Sequence, residues 1–89
     1  GTTYTVGSGN LASYSCGWVL FENYATSAID NAVSDWYINN VIVGQQTAGT
    51  PQEWTDFNTG IYFVNKGDTF KNVGKAGRNK LTFFPCKGF

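Results

Sequence analysis

The ten residues Asp35-Trp36-Tyr37-Ile38-Asn39-Asn40-Val41-Ile42-Val43-Gly44 decide the fold class. Two short apolar runs rich in aromatic and β-branched residues flank an Asn-Asn pair, and Asn tolerates the positive φ that a two-residue type I′ turn demands at both central positions. The segment is expected to be a tight β-hairpin. Working outward, Cys16-Gly17-Trp18-Val19-Leu20-Phe21 is a continuous apolar run of strand length, the pattern expected of a strand buried on both faces. Thr2–Val6 predicts a first strand closed by the turn cluster Gly7-Ser8-Gly9-Asn10. On the other side, Gly60–Val64 and Thr69–Val73 read as strands joined by Asn65-Lys66-Gly67-Asp68, a further hairpin. Lys80–Cys86 predicts the last strand, and Pro85 restricts it to an edge or a strand end. Ala25–Ala32 is compatible with one helical turn or a loop, and Gln45–Asn58 is the longest candidate loop. No window carries a helical period and no repeat is visible. The expected fold is all-β, a small antiparallel β-sandwich.

Composition agrees with that expectation. The chain has 89 residues, which suits a single domain over 1–89 with one modest core. Aromatic residues make up 17% and charged residues only 13%, while nine Asn, ten Thr and eleven Gly supply turns and strands. The amino-terminal stretch lacks the basic residues of a secretory leader, and no apolar run approaches the roughly 20 residues of a membrane span. A soluble protein without membrane insertion is expected.

The inventory also narrows function. There is no His, which removes the usual general base, the commonest metal ligand and every triad built on imidazole. Cys16 and Cys86 stand alone as thiols, so neither a zinc shell nor a redox pair of closely spaced cysteines can form. They can instead close a disulfide across about 70 residues, worth roughly 4 kcal/mol in the chain-entropy account, or lie buried as small hydrophobes. Six acids could furnish a glycosidase pair in principle, but a deep cleft is hard to build from so small a core, and no dense Asp-x-Asp loop is present for calcium. No catalytic residue, metal or cofactor is expected, and the chain reads as non-enzymatic.

Charge is split along the chain. Five acids (Glu22, Asp30, Asp35, Glu53, Asp56) precede Lys66 with no Lys or Arg among them, whereas six basic residues from Lys66 onward face only Asp68. Either the two halves lie side by side within a subunit, or the basic face of one subunit meets the acidic face of the next. Zero net charge without a dense basic run makes nucleic acid an unsuitable partner.

Across roughly the last 50 residues, the hairpin Tyr37-Ile38-Asn39-Asn40-Val41-Ile42-Val43, the run Val64-Asn65-Lys66-Gly67-Asp68-Thr69 and the ending Phe83-Phe84-Pro85-Cys86-Lys87-Gly88-Phe89 follow one another in a suggestive order. In that order the chain resembles the carboxy-terminal module of phage tail-fibre and related virion-surface proteins, a small jelly-roll domain similar in build to the tumour-necrosis-factor family. The resemblance implies a jelly-roll-like homotrimer at a virion surface or other extracellular tip, recognising a host-surface glycan or protein. A purely structural trimerisation module and a monomeric secreted carbohydrate-binding module are the alternatives. Three clusters combine a flat ring with carboxylate or amide groups, the chemistry for stacking on a sugar and bonding its hydroxyls. They are Trp54 with Asp56 and Asn58, Trp36 with Asp35, and Tyr24 beside Asn23. Each ring could equally serve the core or a subunit contact.

Overall fold

The computed structural model describes residues 1–24, 34–46, 59–74 and 78–86. Among these residues seven strands, β1 (Tyr4–Thr5), β2 (Cys16–Tyr24), β3 (Ser34–Ile38), β4 (Val41–Gln46), β5 (Thr59–Asn65), β6 (Thr69–Gly74) and β7 (Arg78–Pro85), form two antiparallel sheets. One sheet has the order β1-β6-β3-β4, the other β5-β2-β7. The molecule is a small antiparallel β-sandwich. Its strand order is that of an eight-stranded jelly roll in which, among the described residues, no strand fills the place beside β7. The expected turn after the first strand tightens into a short 3₁₀ segment, Gly9–Leu11. Ala25–Ala32 lies outside the described residues. So does most of the expected Gln45–Asn58 loop, whose first two residues are the end of β4.

The β3–β4 hairpin forms as the sequence requires. Asn39 and Asn40 have φ of 53° and 64°, the pair of left-handed residues that a type I′ turn needs. The Asn65–Asp68 segment departs from expectation. It does not close a hairpin but carries the chain from β5 in one sheet to β6 in the other. The physical reason is a set of bonds that only a crossover can make. The N–H of Gly67, itself at φ 92°, donates to Val6 O (2.9 Å), Val6 N–H donates to Asp68 O (3.0 Å), and Lys66 N–H donates to Ser15 O (2.8 Å). The turn is thus saturated by the amino-terminal segment of the chain.

A second correction concerns β2. It is the central strand of its sheet, yet only one face is buried: Val19 and Phe21 are in the core, while Trp18 is 47% exposed. The run is apolar on both faces because its outer face is apolar too.

The core comprises Val6, Val19, Phe21, Trp36, Val64 and Phe70, with Leu11, Ile38, Tyr62, Leu81 and Phe83 packed around it. Phe21 and Trp36 stack across the two sheets at 5.4 Å, and Phe70 stacks on Phe83 at 6.0 Å. The indole of Trp36 fits because Gly44 and Gly60 stand on either side of it, where any Cβ would collide with its six-membered ring. Along the opposite edge, Cys86 N–H bonds Cys16 O (2.9 Å), so Pro85 one residue earlier faces the free edge of β7, where its missing N–H costs no ladder bond. Cys16 and Cys86 form a disulfide with Cα atoms 5.3 Å apart, closing one end of the β2–β7 ladder.

Asp68 carries the crossover turn. Its Oδ2 accepts from Asn65 N–H (2.8 Å) and its Oδ1 from Asn39 Nδ2 (3.0 Å), and these donors hold the carboxyl below its usual 3.8 against a small opposing effect of burial. A depressed carboxylate contributes stability that is present above about pH 4 and lost as the pH falls through the folded-state value. Urea midpoints at pH 5.5 and 2.5 are therefore expected to fall less with acid in Asp68→Asn than in the parent protein. An identical acid loss in both would contradict this assignment. Replacing both cysteines by Ala is expected to lower stability by roughly 4 kcal/mol at neutral pH, measured by the same urea titration. An unchanged midpoint would show that the crosslink does not constrain the unfolded chain.

Candidate functional site

Of the ring clusters singled out in the sequence, only Trp36 with Asp35 lies wholly among the described residues. Trp54, Asp56 and Asn58 lie outside the described residues, as does the side chain of Tyr24, whose backbone ends β2. Trp36 is inside the sandwich, and Asp35, next to it on β3, is buried on the opposite face of that strand. Trp36 is 5% exposed and its Nε1 donates to Ser34 Oγ (2.8 Å), while Asp35 Oδ1 accepts from Gln45 Nε2 (2.6 Å). Neither face of that indole is open to a ligand. Trp36 is a core ring whose polar atom is satisfied internally, and Asp35 is a buried carboxylate with a neutral donor.

The exposed rings are elsewhere. Strand register places Phe63, Trp18 and Phe84 in one row across β5, β2 and β7, and Ile61, Leu20 and Thr82 in the next. Alternation along each strand sends all six to the outer face of the three-stranded sheet. Phe63, Phe84 and Ile61 are 46%, 47% and 56% exposed. With about 200 Å² per aromatic side chain, half-exposed rings and the isoleucine together present on the order of 400 Å² of apolar surface. The row beyond is polar, with Glu22 standing directly opposite Lys80 on β7. Here one acid of the early half and one base of the late half are neighbours within a subunit.

Sequence reasoning missed this face. The signal was the period-two spacing Trp18-x-Leu20, Ile61-x-Phe63 and Thr82-x-Phe84, which means little until register aligns the three strands. Geometry also sets what the face suits. The rings of Trp18 and Phe63 meet edge-on at 67° with centroids 5.1 Å apart, which makes a ridged surface rather than a flat stacking platform. Ridges of side chains interdigitate with other side chains. Among the described residues no three His, Cys, Asp or Glu side chains come close enough to hold a metal ion. Among the described residues no helix is long and apolar enough to cross a membrane.

Compared with protein-family models, with curated proteins and with solved structures, the chain matches none. What the fold and the surface define is a class, a small β-sandwich with one solvent-facing aromatic sheet.

The two tryptophans are expected to behave oppositely on truncation. Trp36→Ala leaves a cavity between the sheets and costs about 3–5 kcal/mol, while Trp18→Ala costs about 1 kcal/mol or less, both read from urea unfolding of the protein kept dilute. Equal losses would contradict the burial described.

Proposed function

We propose that the chain is a non-enzymatic attachment module of the virion-surface or tail-fibre-tip kind, working as a homotrimer that meets a host-surface component outside the cell. The observation that carries this reading is the apolar outer face of the three-stranded sheet. A patch of about 400 Å² is within the range at which exposed apolar surface marks an interaction site. Pressed against the surface of the next copy in a ring of three, the face and its polar rim bring the area removed from water on the two chains to the roughly 1,000 Å² that separates specific interfaces from chance contacts. A small sheet domain also gains from assembly, because its own core encloses a limited share of its surface. The ridged ring pair favours side chains of a neighbouring copy over a sugar as the occupant of this face. Trimer contacts on the three-stranded sheet leave the four-stranded sheet and the sandwich edges available to the host.

Molar mass by light scattering tests the reading. The expected mass at micromolar concentration is about 29 kDa, three chains of 9.7 kDa, falling to one chain in Trp18→Ser with the fold intact by circular dichroism. A parent protein that remains one chain at all concentrations would overturn the trimer and leave a stand-alone binding module.

A further inference from the structure

Among the described residues, two adjoining cavities of about 160 Å³ each lie on the side of the sandwich between β1 and β7. They share Tyr4 and Leu81 but differ in chemistry. One is apolar, walled by Leu11, Phe70, Leu81 and Phe83. The other is lined by Thr2, Asn72 and Asn79. Asn72 follows Phe70 by two residues on β6 and shares its inward face, and both Nδ2 and Oδ1 of its amide are buried without a hydrogen-bond partner among the described residues. A buried amide with donor and acceptor both unmet bears the full desolvation penalty of each group. In a protein interior such a group persists where it serves a function, or where a water or a guest completes it.

From this pairing of an unmet amide with an apolar pocket we infer a binding site for an N-acetylated amino sugar. The inference rests on the attachment reading above only for its biological setting; the site is separate from the aromatic face. The acetamido carbonyl accepts from Asn72 Nδ2, and the ring hydroxyl beside it donates to Oδ1, so the guest supplies in one unit the two partners the amide lacks. A turn of the Asn72 side chain toward the cavity it already lines makes both bonds. The acetyl methyl enters the apolar cavity between Leu81 and Phe83. Tyr4 stacks one face of its ring on Phe70 (5.5 Å) and is 38% exposed, which offers the other face to the sugar ring. A plain hexose lacks the methyl and the carbonyl and forfeits both halves of the site.

The test is a titration of isotope-labelled protein, followed by amide shifts, with N-acetylglucosamine and N-acetylgalactosamine against glucose and N-acetylglycine amide. An acetamido sugar is expected to bind at least about tenfold more tightly than glucose and than the acetylated peptide, moving Tyr4, Asn72, Leu81 and Phe83. Asn72→Leu is expected to lose that binding while its Tm stays level or rises, because the substitution removes an unmet buried amide. A purely structural asparagine would lower Tm instead, which overturns the inference. Should Asn72→Leu not fold, Tyr4→Ser tests the same site from the surface and is expected to weaken the sugar by a similar factor. Equal binding of glucose, equal binding of the acetylated peptide, or no shift at tens of millimolar sugar would each overturn it. Trp18→Ser separates this inference from the trimer. Sugar binding retained in that variant supports an independent site, and its loss there would place the sugar on the aromatic face and overturn the assignment to Asn72.

Discussion

One small polar knot holds the sandwich together. Asp68 accepts from Asn65 within its own turn and from the Asn39 side chain at the tip of the β3–β4 hairpin, while Asn39 Oδ1 accepts from Thr69 N–H (2.9 Å) and Asn39 N–H bonds Thr69 O (2.8 Å). The same turn bonds Val6 and Ser15. Four stretches of chain distant in sequence therefore meet around one crossover, and the passage from the three-stranded to the four-stranded sheet happens there. Each bond is worth only about 0.5–1.5 kcal/mol net. Their importance lies in direction: they force β6 to leave β5 and pair with β1 and β3, and so they place Phe70 over Phe83 and Trp36 over Phe21.

Once the crossover is set, the sandwich has one core and two unlike exteriors. Small residues make room inside. Gly44 and Gly60 admit the Trp36 indole, and Gly17 lets the Phe83 ring lie against β2, where a Cβ would strike it. The interior is thereby filled by five large rings and a few valines, which leaves Trp18, Phe63 and Phe84 outside. A chain of this size cannot enclose all its aromatic residues, and among the described residues the three most exposed, Trp18, Phe63 and Phe84, fall on the face of a single sheet. That placement turns a composition, 17% aromatic, into a surface with a use.

Much of the fold was legible in the sequence, and the failures have identifiable causes. The Asn39-Asn40 turn, the sandwich class and the edge position of Pro85 followed from local backbone chemistry, which acts within a few residues. The hairpin expected at Asn65–Asp68 failed because a Lys-Gly-Asp turn is compatible with both a hairpin and a crossover. Only the distant partners Val6, Ser15 and Asn39 decide between them. The two-sided burial expected of Cys16–Phe21 failed because an apolar run does not say whether its second face meets protein or solvent. Trp36 and Asp35 looked like a ring beside a carboxylate, but spacing alone does not reveal that Gly44 and Gly60 clear a buried slot for the ring. The disulfide was one of two open alternatives, and strand pairing of β2 with β7 decided it, since it brings Cys16 and Cys86 to facing ends.

The central claim is that the outer face of the three-stranded sheet is a contact surface. Hydroxyl-radical footprinting across a dilution series reads it most directly, side chain by side chain. The account predicts that Trp18, Phe63 and Phe84 are reactive in the dilute protein and become protected together as concentration rises, with buried Trp36 unreactive throughout. Reactivity of Trp18 and Phe84 that is high and constant from nanomolar to millimolar protein would contradict it.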